Sequence, residues 1–167
     1  VMGLFGNGHN NGKRPAPTLA ELINRGFSSR DGVVDILFIF PPTSVANRYG
    51  KDNLGDLGGD LPPLGIGCLA AFLREKGFGV GILDGCALGL GEEEVIQVIR
   101  ERNPRVVGFS STTYALPSAI RLAQAVRTQF PDKLIVLGGA HANVAEEHAA
   151  REYPWFDLVV FGADGEY

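Results

Sequence analysis

Residues 104–142 read PRVVGFSSTTYALPSAIRLAQAVRTQFPDKLIVLGGAHA. Two apolar runs, Val106–Phe109 and Leu134–Leu137, bracket a helical pattern over Pro117–Phe130, with Ile120, Ala123 and Phe130 facing inward. Neither run alternates with polar residues, which is how a strand buried on both faces reads. The first run ends in Ser110-Ser111-Thr112-Thr113 and the second in Gly138-Gly139. Strand, helix and strand in that order make a parallel unit, because two parallel strands need a crossover between them.

The same unit repeats outward. Upstream, Val80–Leu83 is a short strand ending at Asp84, and Glu92–Asn103 is a helix. Three glutamates in its first turn suit the helix dipole, and Pro104 follows its end. Further upstream, Asp35–Phe40 (DILFIF) is a continuous apolar run stopped by Pro41-Pro42. A long loop over 41–62 leads to Pro63, which suits a helix N1 position. Ile66, Leu69 and Leu73 follow at helical spacing, and Lys76-Gly77 stops the helix. Downstream, Val144–Tyr153 reads as a short helix and Phe156–Phe161 as a strand ending in Gly162. Five strands alternating with four helical segments give an α/β fold. It is a five-stranded parallel sheet with helices on both faces, flavodoxin- or Rossmann-like, in the order 2-1-3-4-5.

Ahead of that unit, residues 18–29 suit one short helix, with Thr18 as N-cap and Glu21 at the capping-box position. Residues 1–17 (VMGLFGNGHNNGKRPAP) are rich in Gly, Asn and Pro and read as an arm. The expected division is an arm and short helix over 1–33 and one domain over 34–167.

Composition narrows the functional classes. Of 167 residues, 45% are hydrophobic and 20% charged, enough for a core and too apolar for wholesale disorder. Fifteen basic and nineteen acidic side chains give a net charge of −4, and no basic run offers a nucleic-acid footprint. No apolar run approaches the ~20 residues of a membrane span. Residues 1–17 carry no apolar h-region, so no signal peptide is expected there. Two cysteines, Cys68 and Cys86, build no disulfide scaffold, and a reducing cytoplasm is the expectation. Glycine stands out at 23 of 167, about twice the usual ~7%.

In an open α/β sheet, ligands bind beyond the carboxyl ends of the strands. The candidates at strand ends are therefore Pro41-Pro42 and the long loop, Asp84, Ser110–Thr113, Gly138–His141 with Ala140 between, and Gly162–Glu166, and Leu64-Gly65 joins them through the resemblance described below. Glycines admit a large flat ligand to the backbone, and hydroxyls donate or accept without bulk. Turns after strands are rich in Gly and Ser in any case; three small-residue ends in one fold favour a large ligand. The loop over 41–62 carries Arg48, Tyr49 and Lys51, which face a ligand or simply solvent.

Other patterns fail on context. Gly65-Ile66-Gly67-Cys68-Leu69-Ala70 matches G-x-G-x-x-A, but a dinucleotide fingerprint must follow its strand directly. More than twenty residues separate Phe40 from Gly65. Gly65 and Gly67 instead let this helix lie close beneath a ligand or the sheet. A phospho-receiver needs an aspartate where Ser110 stands, an acidic pair where Pro41-Pro42 stands, and a lysine after the last strand. A flavodoxin phosphate loop is poorly served by Pro41-Pro42-Thr43-Ser44. Cys68 reads as helix core, and Cys86 as a neighbour of the binding edge without a partnering base. His9 lies in the arm, His148 on a helix surface, and His141 at a strand end. No catalytic triad and no metal-spaced cluster is visible, so no catalytic or metal-ligating residue is assigned.

Leu61–Leu73 (LPPLGIGCLAAFL), with Gly77-Phe78 leading to Leu83-Asp84, resembles the opening of the cobalamin-binding domains that precede radical S-adenosylmethionine catalytic domains. The resemblance continues through Pro104–Ser110 and Thr112-Thr113, through Leu134–Ala142, and through Asp157–Val160 to Gly162–Glu166. It covers about residues 34–167, and the order and spacing of the segments carry it. It implies a corrinoid at the carboxyl edge of the sheet. Ser110, Thr112 and Thr113 would line the buried nucleotide tail, with Gly138, Gly139 and His141 flanking it. Gly162 and Glu166 would close its other side, and the stretch from Pro41 through Leu64 would lie under the corrin ring. Replacing Gly139 by Leu would then block the tail and leave the fold intact.

Two departures from the wider pattern matter. No histidine stands between His9 and His141, where the methionine-synthase type carries D-x-H-x-x-G. The expectation is base-off cobalamin without a protein histidine below cobalt. The family's CxxxCxxC segment is also absent, so S-adenosylmethionine and a 4Fe-4S cluster are expected only in a missing C-terminal catalytic domain. That domain is the expected partner, and a methyltransferase the expected parent. The chain alone is not expected to be catalytic. The rival reading is a non-catalytic carrier or sensor of cobalamin or a nucleotide, and a blander one is a flavodoxin-like interaction domain without cofactor.

Overall fold

The computed structural model describes residues 18–28, 33–43, 63–145 and 147–162. Expectations for His9, the arm, Arg48, Tyr49, Lys51 and Glu166 lie outside those residues. Among them, six strands form one sheet: β1 (Phe27–Ser28), β2 (Ile36–Phe40), β3 (Val80–Asp84), β4 (Val106–Ser110), β5 (Leu134–Gly138) and β6 (Leu158–Val159). The helices are α1 (Leu19–Arg25), α2 (Leu64–Glu75), α3 (Glu92–Arg102), α4 (Leu116–Gln129), α5 (Ala140–Ala145) and α6 (Glu147–Glu152). The spatial order is β1-β3-β2-β4-β5-β6. From β3 to β6 every pairing is parallel, which is the expected 2-1-3-4-5 order.

Strand β1 is an addition. Phe27 and Ser28 pair antiparallel with Gly81 and Val80 at the sheet edge. The helix expected over 18–29 therefore ends at Arg25, one residue before Gly26 turns the chain. No Cβ fits at Gly26, because it would stand 2.1 Å from the Ile82 carbonyl oxygen. The start of α1 is as expected: the Glu21 amide donates to Thr18 Oγ1, and the Thr18 amide donates to Glu21 Oε2 at 2.7 Å. At the other end of the chain, α5 starts at Ala140, ahead of the helix expected over 144–153, α6 ends at Glu152, and the last strand shortens to two residues.

Side chains alternate across the strands, so the register sorts them into two faces. Leu37, Ile39, Leu83, Val107, Phe109, Ile135 and Leu137 share the first face. All are buried, in one cluster with Val95 and Ile99 of α3 and Leu122 and Val126 of α4. The second face carries Phe38, Ile82, Gly108 and Val136, with α2 packed against β3. Only Ile66 and Ala70 of α2 are buried; Leu69 and Cys68, expected in the core, are exposed. The apolar pattern of α2 is broader than the stripe its neighbours cover. Gly77 closes this helix with φ +91°, a conformation that glycine adopts without strain. Pro63 sits at the N-cap rather than at N1. No described helix is long and apolar enough to cross a membrane.

Candidate functional site

The parallel strands all point the same way, so their carboxyl ends meet along one edge. There β2 delivers Pro41-Pro42-Thr43, β3 delivers Asp84, β4 delivers Ser110–Thr113 and β5 delivers Gly138–His141. Val160–Gly162 follow β6.

The predicted residues divide into those the fold consumes and those it leaves open. Ser111 is consumed: its amide donates to the Gly138 carbonyl at 2.9 Å, its carbonyl accepts from the His141 amide at 2.9 Å, and its hydroxyl donates to the Thr112 carbonyl at 2.8 Å. It clamps the turn after β4 to the turn after β5. Gly139 belongs to the same clamp, with φ +96°. A Cβ there would stand 2.7 Å from the Ser111 nitrogen and 2.9 Å from Ser110 Oγ. The expectation that Leu at 139 spares the fold is therefore overturned, because the space is filled by the chain itself. Asp84 is partly consumed, since its Oδ1 accepts from the Ala87 amide at 3.0 Å and holds its own turn. Pro42 packs under Gly85, whose Cβ would meet the Pro42 ring at 3.0 Å. Thr43 and Cys86 exchange hydrogen bonds at 3.4 Å, with the Thr43 hydroxyl donating to Sγ and the thiol donating to the Thr43 carbonyl.

Other groups at this edge are free to receive something. Thr112 Oγ1 is buried with no hydrogen-bond partner, and so is His141 Nε2. The other His141 nitrogen, Nδ1, lies 3.3 Å from Thr113 Oγ1. Ser110 and Gly138 face each other in register on the second face. A Cβ on Gly138 would meet nothing nearer than the Val160 carbonyl at 3.9 Å. At the start of α2, Leu64 is 76% exposed, and a Cβ on Gly65 or Gly67 would meet nothing within 4 Å. A side chain at either position would therefore meet no close neighbour, while Ile66 between them is buried. Ala140 is exposed beside His141.

Sequence reasoning missed Asn143, whose Oδ1 accepts from the Gly162 amide at 3.0 Å and fixes the chain after β6. Helical spacing from Gly139, whose carbonyl accepts from the Asn143 amide, was the available signal. It also missed Tyr153, whose ring stands 6.2 Å from the His141 ring.

The opening is built of small residues with two buried polar atoms that lack partners. Burying such atoms unpaired costs about 1–3 kcal/mol each, and a ligand that bonds them removes that cost. The arrangement suits a large ligand with hydrogen-bonding groups, and the residues fit a cobalamin nucleotide tail on those grounds. Among the described residues no group of three His, Cys, Asp or Glu could hold a metal ion.

Comparison with known proteins agrees with this geometry. An uncharacterised methyltransferase of Pyrococcus horikoshii is 35% identical over 134 residues, 80% of this chain and 28% of its own length. An anaerobic magnesium-protoporphyrin IX monomethyl ester cyclase of Rubrivivax gelatinosus is 32% identical over 132 residues, 78% of this chain and 22% of its own. A cytidylyl-2-hydroxyethylphosphonate methyltransferase of Streptomyces wedmorensis is 32% identical, over 64% of this chain and 24% of its own. The chain thus spans about a quarter of the length of these relatives. Residues 50–166 match the family described as B12 binding domain. With a parallel sheet in 2-1-3-4-5 order and an open, small-residue carboxyl edge, the chain belongs to the B12-binding domain family.

Proposed function

We propose that this chain holds cobalamin base-off at the carboxyl edge of its sheet, as one domain of a radical S-adenosylmethionine enzyme, a methyltransferase. The single observation that carries the binding mode is the pair of buried, unpartnered atoms, Thr112 Oγ1 and His141 Nε2, beside the open Gly138. Ser110, Thr112 and Thr113 would receive the nucleotide tail, with Gly138 and His141 alongside. Pro42, Leu64 and Gly65 would lie toward the ring. When bound, the cofactor supplies a transferable methyl group on cobalt. This chain's own part is to hold the tail, to keep water from one face of the ring, and to leave the other face open to a catalytic domain.

The base-off reading without a protein ligand rests on the sequence, which has no histidine between His9 and His141. The printed names of two relatives, both methyltransferases, support a methyl-transfer role. S-adenosylmethionine and an iron–sulfur cluster belong, in this reading, to polypeptide that the relatives have beyond the matched quarter.

The test is a titration with hydroxocobalamin, desalted and read by visible absorbance. Retained corrinoid with a base-off spectrum is expected. Electron paramagnetic resonance of the Co(II) form should lack nitrogen superhyperfine splitting; its presence would refute the histidine-free mode. A longer polypeptide that retains no corrinoid would refute the function.

A further inference from the structure

The chain that leaves β6 forms the wall of the opening nearest Gly138. A Cβ on Gly138 would have the Val160 carbonyl oxygen as its nearest neighbour, at 3.9 Å. What holds that wall changes along its length. The Val160 amide donates to the Leu137 carbonyl at 2.8 Å, so Val160 is still held by the sheet. β6 pairs with β5 only through Val136 and Leu137, so the ladder does not reach Gly162. Gly162 has φ +125°, and its amide donates to Asn143 Oδ1 at 3.0 Å. A side chain takes over where the strand ladder stops.

Asn143 is itself fixed from the side of the site. Its amide donates to the Gly139 carbonyl at 3.2 Å, and the His141 amide donates to the Ser111 carbonyl at 2.9 Å. One run of bonds thus ties the turn after β4 to the turn after β5, and on to the chain after β6. Asn143 is exposed and lies outside the core cluster. An exposed bond of this kind adds little to global stability. It matters locally, because glycine is free to take many backbone conformations and an outside bond is needed to select one. The bond from Asn143 therefore decides the direction in which the backbone leaves Val160.

We propose that Asn143 is a positioning residue for the nucleotide tail of a corrinoid. By holding the Gly162 amide it sets the backbone of Val160–Gly162 as the wall beside Gly138. That wall makes the chain favour a corrinoid with a nucleotide tail over one without. This role presupposes the binding mode proposed above. In that mode the ring lies toward Pro42, which follows β2, two strand positions from β5. Binding of the ring is therefore indifferent to Asn143.

The experiment compares dissociation constants for hydroxocobalamin and for diaquocobinamide, which lacks the nucleotide tail. Variants are made in the polypeptide that retains hydroxocobalamin. If neither the 167-residue chain nor a longer one retains it, the binding mode fails and Asn143 has no tail to position. Asn143→Ala should weaken hydroxocobalamin binding about five- to tenfold, the worth of one hydrogen bond, and cobinamide binding by less than about twofold. Asn143→Asp keeps the acceptor, so it should protect the Gly162 amide from hydrogen exchange and restore most of the affinity. Gly162→Ala adds a Cβ that meets nothing within 4 Å but disfavours φ +125°, and it should show the same selective loss. Should Asn143→Ala unfold the chain, Gly162→Ala decides, since it leaves the carboxamide in place. Equal weakening of both corrinoids would overturn the assignment, because it marks a general effect on the scaffold. So would unchanged binding of hydroxocobalamin by the variants in a parent that retains it, or an Asp variant that protects the Gly162 amide without restoring affinity.

Discussion

The two edges of the sheet treat buried polar groups differently. At the amino edge Lys133 is only 8% exposed, yet its ammonium donates to Asn103 Oδ1 at 2.8 Å and to the Pro104 carbonyl at 2.7 Å. Burial pushes that ammonium down from the ordinary lysine value. Asp157 is similarly occupied: its Oδ2 accepts from the Ile135 amide at 2.7 Å and from Arg127 at 2.6 Å. At the carboxyl edge Thr112 Oγ1 and His141 Nε2 are buried and accept or donate nothing. At the amino edge Arg74 Nε and Arg102 Nε are also buried without a partner, but another nitrogen of each guanidinium is bonded, Arg74 donating to the Gly26 and Val80 carbonyls and Arg102 to Asn24 Oδ1. At the carboxyl edge neither Thr112 nor His141 offsets its unpaired atom through so many bonds, and in the proposed function a ligand supplies the missing partners.

The largest expected effect sharpens where the site ends and the scaffold begins. Gly139→Leu should destabilise the fold by about 2–4 kcal/mol, through positive φ and overpacking against Ser111. Gly138→Leu should fold with nearly unchanged stability and lose corrinoid retention. Urea melts of both variants check this, and equal destabilisation would erase the distinction.

Next comes the amino edge. Lys133→Met leaves Asn103 Oδ1 and the Pro104 carbonyl without their donor, and should cost about 1–3 kcal/mol. Cobalamin retention per folded molecule should not change. A variant as stable as the parent would show that the Lys133 bonds carry no net stability.

Asp157 gives a smaller effect that depends on pH. Burial, the strongest single influence, raises its pKa, but the Ile135 amide and Arg127 together outweigh it and hold the carboxyl below the usual range. A folded pKa below the unfolded one means that the unfolded chain binds more protons in that window. Stability from this group is therefore full above the unfolded value near pH 4 and is lost as pH falls through the folded value. Because the pair is about a third exposed, solvent screens it, and Asp157→Asn should cost only about 1 kcal/mol at neutral pH. Thermal melts should show the gap between parent and variant shrinking in acid.

The smallest effect on stability is the sharpest test of the contrast. Thr112→Val removes a hydroxyl that bonds nothing in the chain, so stability should shift by no more than about 0.5 kcal/mol in either direction. Cobalamin retention should fall roughly five- to twentyfold, the worth of about 1–2 kcal/mol of lost hydrogen bonding. A large drop in stability with unchanged retention would make Thr112 a structural residue like Lys133.

Much of this molecule was determined by the sequence alone. The unbroken apolar runs at 36–40, 80–83, 106–109 and 134–137 left no other reading than buried parallel strands, because half-buried strands alternate. Their small-residue ends marked one candidate edge, since every parallel strand points its carboxyl end to the same side. The missing histidine was likewise legible, because an absent residue type needs no coordinates.

Tertiary structure decided the rest. Ser111 and Thr112 are neighbouring hydroxyl residues, yet one clamps two turns and the other is left unpaired; only the distance between strand ends separates them. Gly138 and Gly139 are adjacent glycines, yet one faces open space and the other faces the Ser111 backbone, because successive residues leave a strand in opposite directions. Leu69 and Cys68 look like core and are exposed, because periodicity tells which residues could be buried and not which neighbours arrive to bury them. Strand β1, two residues long, carries no periodic signal and exists because the edge of β3 offers it hydrogen bonds. Local chemistry fixes what a residue can do, and the contacts of distant segments fix which of those options remains.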